Sequence, residues 1–126
     1  MKRMLRIALI SIMIALGITP VLLAAGDYPT KPITLVNPMA PGGTLDVQAR
    51  AFAAVAEKYL GQPVTVVNKA GATGMVGGTA VAQATPDGYT LLVGSVNITN
   101  AVEWEIANGR KPPFTRNDFA AIALSR

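Results

Sequence analysis

Short apolar runs alternate with stretches of helical spacing along most of this chain. Ile33–Asn37, "ITLVN", is apolar and β-branched between Pro32 and Pro38, the pattern of a buried strand. From Leu45 the spacing becomes helical. Leu45, Ala49, Phe52, Ala56, Tyr59 and Leu60 share one face, and Gln48, Glu57 and Lys58 take the other. Gly61 is a natural helix stop, and Pro63 prevents continuation. Residues 63–67, "PVTVV", predict a second strand, and residues 68–78, "NKAGATGMVGG", a glycine-rich loop. A small-residue helix is expected over residues 75–84, followed by the turn "TPDG" at residues 85–88. Residues 89–93, "YTLLV", form the third expected strand and lead into the polar loop "GSVNITN". A helix over residues 101–107 and a fourth strand over residues 119–124 complete the pattern.

Strands alternating with helices predict βαβ units, and hence an α/β fold with a parallel sheet and right-handed crossovers. Every strand-to-helix loop of a parallel sheet leaves from the same carboxyl edge. "NPMAPGGTLD", "NKAGATGMVGG" and "GSVNITN" are therefore expected along one rim, where open α/β sheets bind ligands.

The first 25 residues are unlike the rest. Lys2, Arg3 and Arg6 precede an uncharged apolar run from Ile7 to Leu23 and the small residues Ala24, Ala25 and Gly26. Residues 1–25 read as a secretory signal peptide. A retained anchor is the competing reading, and Gly17 and Pro20 favour cleavage because both weaken a spanning helix. Without the three leader cations, eight basic residues face seven acidic ones, so the basic character of the whole chain carries no argument for nucleic acid. The sequence has no Cys and no His. That removes disulfides, thiol and imidazole nucleophile–base pairs, and the common zinc sites.

The three loops offer neutral donors. Gly42 and Gly43 leave the backbone bare at the start of the first helix, where unpaired N–H groups and the helix dipole attract anions. The second loop brings Gly71, Gly74, Gly77, Gly78 and Thr73; the third brings Ser95, Asn97 and Thr99. The glycines also suit tight turns and helix–sheet contacts. Nucleotide motifs fail on spacing: no glycine precedes lysine in a P-loop frame, and "GATGMVG" is not G-x-G-x-x-G. Asp46 has two readings, a structural carboxylate in the first helical turn or an acceptor for a ligand group. No pair of acids stands at catalytic spacing, and Trp104 reads as a packing residue.

Four ordered blocks, "YPTKPITLVNPMAPGGTLDVQAR", "LGQPVTVVNKAGATGMVGG", "ATPDGYTLLVGS" and "FTRNDFAAIAL", resemble the opening of the tripartite tricarboxylate transporter receptors, the Bug-type periplasmic solute-binding proteins. The likeness runs from Tyr28 to the C-terminus. It implies a type II periplasmic-binding-protein fold of two lobes. Residues 26–126 would then be an incomplete N-terminal lobe, truncated before the hinge and second lobe. It also implies a binding protein rather than an enzyme, with no cofactor or metal. The expected ligand is a small di- or tricarboxylate, captured in the periplasm and passed to membrane permease subunits. Carried over by motif, the ligand contacts are Gly42, Gly43, Thr44 and Asp46, then Gly71, Ala72, Thr73 and Gly74, and finally Ser95. Met39 stands where an aromatic is common in the family, Lys69-Ala70 where Arg-Pro is usual, and Thr73 replaces a frequent glycine. Family members are more than twice as long, so impaired binding is expected of this chain. An exported, membrane-anchored interaction protein with no transport role is the alternative.

Overall fold

The computed structural model describes residues 28–122. The expected leader, residues 1–25, lies outside them, as do Ala123 and Leu124 of the expected fourth strand. Three parallel strands, β1 (Ile33–Asn37), β2 (Val64–Asn68) and β3 (Thr90–Leu92), form a sheet in the order β2-β1-β3. Ile33 pairs with Val64 and Asn37 with Asn68, while Thr34 to Val36 pair with Thr90 to Leu92. The central strand is the most buried because helices cover both its faces.

On one face lies α1 (Thr44–Leu60), with Ala49 and Ala53 packed on Ile33, Leu35 and Val64. Along the same strand Val36 is also buried. A second cluster joins Ile98 and Val102 of α3 (Val96–Ala107) to Phe114, with Met75 and Ala82 of α2 (Met75–Ala82) and Leu92 of β3 against it. Small residues let α2 approach closely. A Cβ on Gly77 would lie 2.9 Å from Pro38 Cα and from the Lys69 carbonyl oxygen, and one on Gly78 would enter the Phe114 ring.

Several expectations need correction. Phe52 and Tyr59 do not face the core: they are 57% and 86% exposed. The buried face of α1 carries Asp46, Ala49 and Ala53 instead. Asp46 is tied to the strand ends beneath it, as shown below, and this fixes the rotation of the helix about its axis. The α2 helix is preceded by a short 3-10 turn, Ala72–Gly74, and ends at Ala82 rather than residue 84. The polar segment "GSVNITN" is not a loop throughout, because α3 starts at Val96, five residues earlier than expected.

Nor do residues 119–122 form a strand. A 3-10 turn, Arg116–Asp118, precedes them, closed by a capping box in which the Asp118 carboxylate accepts the Thr115 N–H and the Thr115 hydroxyl accepts the Asn117 N–H. Phe119 then stacks edge-to-face on Phe114, with ring centroids 5.4 Å apart. The aromatic contact draws this segment onto α3 instead of extending the sheet.

Candidate functional site

The site grows from the carboxyl ends of β1 and β2. Both strands end in asparagine, and Asn37 and Asn68 are paired in register. Asn37 is fully buried, and its side-chain oxygen accepts from Met39 N–H at 3.2 Å, turning the chain into the first loop. Its side-chain amide donates to Asp46 at 3.4 Å. Asn68 donates to Asp46 at 2.8 Å and to the Met39 carbonyl at 3.3 Å. Gly42 N–H donates to the second Asp46 oxygen at 2.9 Å, and Arg50 Nε to the same oxygen at 3.0 Å. Arg50 also reaches Asn68 Oδ1 at 3.1 Å. One carboxylate thereby fastens the first loop, α1 and the end of β2.

Asp46 is 3% exposed and both its oxygens are engaged. These hydrogen bonds supply the structural role of its two readings, tying the carboxylate to the elements beneath the rim. Arg50, then the Gly42 N–H, then Asn68 hold its carboxyl far below the usual carboxylate range, outweighing the opposing effect of burial. On unfolding, the carboxyl returns to its ordinary value near ~3.9 and takes up a proton more readily than in the fold. Its contribution is therefore fully present above about pH 4 and drains away as the pH falls further. We expect urea midpoints measured down a pH series to drop below that point, and the drop to be smaller in Asp46→Asn.

Because the Gly42 N–H is bound to Asp46, the open donors of the first loop lie one step further on. Gly43 is the N-cap of α1, no side chain caps it, and Gly43 and Thr44 are exposed. The first-turn N–H groups of a helix have no partner within it. Along the rim α3, starting after Ser95, also lacks a side-chain cap, whereas at the start of α2 the N–H groups of Gly74, Met75 and Val76 already bond to the Gly71 and Ala72 carbonyls. Away from the rim, the Arg116–Asp118 turn carries a full capping box.

The second loop is held in unusual backbone geometry. Ala72 and Thr73 have φ of 43° and 55°, a left-handed conformation that costs non-glycine residues free energy and gathers at functional sites. Gly74 joins the three loops. Its φ is 94°, and a Cβ there would lie 2.7 Å from Ile98 in α3 and 3.4 Å from Met39 in the first loop. Ser95, in extended conformation ahead of α3, has a buried Oγ with no hydrogen-bond partner among the described residues. Buried hydroxyls are rarely left so.

Gly43, Thr44, Ala72, Thr73, Gly74 and Ser95 thus border one rim, whereas Gly42 and Asp46 form its underside and Gly77 and Gly78 serve helix packing. Sequence reasoning missed Asn37, Arg50 and Asn68. Two strands each ending in Asn immediately before a loop, and Arg four residues after Asp46, were the available signals. Among the described residues no group of His, Cys, Asp or Glu could hold a metal ion.

Residues 48–108 match the tripartite tricarboxylate transporter family receptor pattern. The chain belongs to this receptor family. Protein BugT of Bordetella pertussis is 44% identical over 96 residues, covering 76% of this chain and 29% of BugT. A solved periplasmic transporter shares 38% identity with a TM-score of 0.62, over 70% of this chain and 29% of its own. MatC of Rhodopseudomonas palustris, solved with bound malate, shares 46% identity with a TM-score of 0.52, over 53% of this chain and 23% of its own. The α/β parallel-sheet architecture is accordingly that of periplasmic binding proteins. This receptor-family chain spans between 22% and 33% of the length of the first four curated relatives it matches.

Proposed function

We propose that this chain provides the N-terminal, ligand-gripping lobe of a periplasmic receptor for small carboxylates of the di- or tricarboxylate type, one that delivers them to membrane permease subunits of a tripartite tricarboxylate transporter. The observation that carries the reading is that two helix starts on the carboxyl edge of the sheet, at Gly43 and Ser95, have no side-chain cap, and that Ser95 keeps a buried hydroxyl without a partner among the described residues. Such a rim offers several backbone N–H donors to one anion and needs no cation. Arg50 is engaged with Asp46 and Asn68 and contributes no free charge. Bound malate in MatC, a dicarboxylate in a relative of this fold, supports the ligand class. Residues 1–25 serve as the export signal in this reading, which places the lobe in the periplasm.

Magnitudes set what this lobe does alone. Three charge-assisted hydrogen bonds supply about 1.5–3 kcal/mol each. Association costs about 4–15 kcal/mol, so the two nearly cancel. Binding by the isolated chain should therefore be no tighter than millimolar. An amide-resolved NMR titration of the whole chain with succinate tests the reading. Shifts confined to the amides of Gly43, Thr44, Ala72, Thr73 and Gly74 are expected, with the turn at Asp87 and Gly88 silent. Rim amides that stay fixed at saturating millimolar succinate would overturn the proposal. The membrane-anchored alternative finds no specific support in the rim geometry.

A further inference from the structure

The two edges of the sheet are finished differently. An edge strand turns its main-chain groups alternately towards its neighbour and away from it. On β2 the Pro63 carbonyl faces β1, accepting from Ile33 N–H, so Val64 turns outwards. Its N–H is taken by the Glu57 carboxylate at 2.9 Å, and the next residue, Thr65, is polar and exposed. A charge on the edge guards a strand against pairing with another chain. On β3 the Tyr89 carbonyl accepts from Thr34 N–H, and Val93 N–H donates to the Val36 carbonyl. Tyr89, Leu91 and Val93 therefore address β1, while Thr90 and Leu92 turn their N–H and C=O groups outwards. No strand lies on that side among the described residues.

Nothing guards this second edge. Residues 89–93, "YTLLV", carry no charge and no proline, and all five are half-buried. A Cβ on Gly94, just past the strand, would meet nothing within 4 Å. Because α1 lies over β1 and β2, Tyr89, Leu91 and Val93 are only partly covered on that face. Open main-chain groups on an uncharged apolar strand are a template for another strand.

We propose that β3 pairs antiparallel with β3 of a second copy, joining two three-stranded sheets into one about a two-fold axis at Leu91. The symmetry makes the strand its own complement. Thr90 stands opposite Leu92 of the other copy, and each such pair exchanges both N–H···O bonds. Leu91 meets its own counterpart, and Tyr89 meets Val93, an aromatic–β-branched pair of the kind that stabilises sheets. No charge opposes its like across the axis. The paired strands run in opposite directions, so the two Ser95 ends point apart and both rims stay open. The pairing is independent of the carboxylate reading. Few residues take part, so the dimer is weak and follows concentration.

Sedimentation of the whole chain over a concentration series, combined with amide hydrogen exchange, tests this. A species of twice the monomer mass should grow with concentration. The Thr90 and Leu92 amides should gain protection as it grows, while the outward Val66 amide on β2 should not. Thr90→Pro removes one outward N–H and leaves the ladder with β1 whole, a change that edge strands tolerate. It should weaken association about tenfold, because two hydrogen bonds are lost per dimer. A wild-type chain that stays monomeric throughout overturns the proposal. A dimer in which Thr90 and Leu92 exchange as fast as in the monomer overturns it as well, as does one that Thr90→Pro leaves equally tight. Protection of these two amides in a chain that remains monomeric would show a different occupant on the edge, and the second copy would be excluded.

Discussion

Asp46→Asn is expected to lower the melting temperature by about 10 °C or more and to loosen both loops at once. The substitution preserves shape, so the effect isolates hydrogen bonding. In the wild type, one Asp46 oxygen accepts from Gly42 N–H and Arg50 Nε, and the other accepts from Asn37 and Asn68. All four partners are donors. An asparagine must turn its own NH₂ towards one of those pairs, placing donor against donor in a site where water cannot compensate. Arg50 loses its counter-charge in the same step. Thermal unfolding followed by circular dichroism measures the first consequence. Amide hydrogen exchange at Met39, Gly42 and Lys69 measures the second, since these N–H groups bond within or across the network. An unchanged melting temperature with unchanged protection would show that the network is ornamental.

Phe114→Ala should cost about 3–5 kcal/mol, the range for emptying a buried aromatic site. Phe114 is 4% exposed, shares its cluster with Ile98 and Val102, and receives the edge of Phe119. The loss is a large part of the roughly 5–15 kcal/mol that holds a small domain together. Urea unfolding should show the midpoint falling steeply, with α3 losing exchange protection. A cost below about 1 kcal/mol would mean that the site collapses around the smaller side chain. A second variant makes the contact specific. Gly78→Ala alone should also destabilise, because its Cβ would enter the Phe114 ring. In the Phe114→Ala background that penalty should largely vanish, giving a coupling that a double-mutant cycle reads directly.

Both expectations depend on contacts between residues distant in sequence, and they mark where local pattern stops being informative. The three observed strands were legible to within a residue, because a short apolar run bounded by proline, glycine or a turn has few other outcomes. The stop of α1 was legible for the same kind of reason: Gly61 adopts φ of 66°, a left-handed cap that glycine takes readily. The face of α1 was misread. Phe52 and Tyr59 satisfy the helical period, yet the helix turns Ala49 and Ala53 inwards because Asp46 must reach the ends of β1 and β2. The start of α3 was misplaced because Ser, Asn and Thr favour caps and loops in isolation, whereas burial of Ile98 and Val102 carries the helix through them. Similarly, the expected fourth strand looked apolar enough, but Phe119 finds Phe114 instead of a strand partner within the described residues.

The same division runs through the site. Sequence alone determined that three strand-to-helix loops share one edge, since parallel pairing permits no other arrangement, and that glycine and small residues leave their backbones open. The ordered motifs also sufficed to place the chain in its receptor family. Tertiary structure decided which groups remain available to a ligand. It bound the Gly42 N–H and both Asp46 oxygens inward, left Ser95 Oγ without a partner among the described residues, gave Gly77 and Gly78 to helix packing, and exposed Trp104. The physical reason is that a hydrogen-bonding group has a fixed capacity. A local motif shows which groups exist, but whether their capacity is already filled depends on partners brought close only when the chain folds.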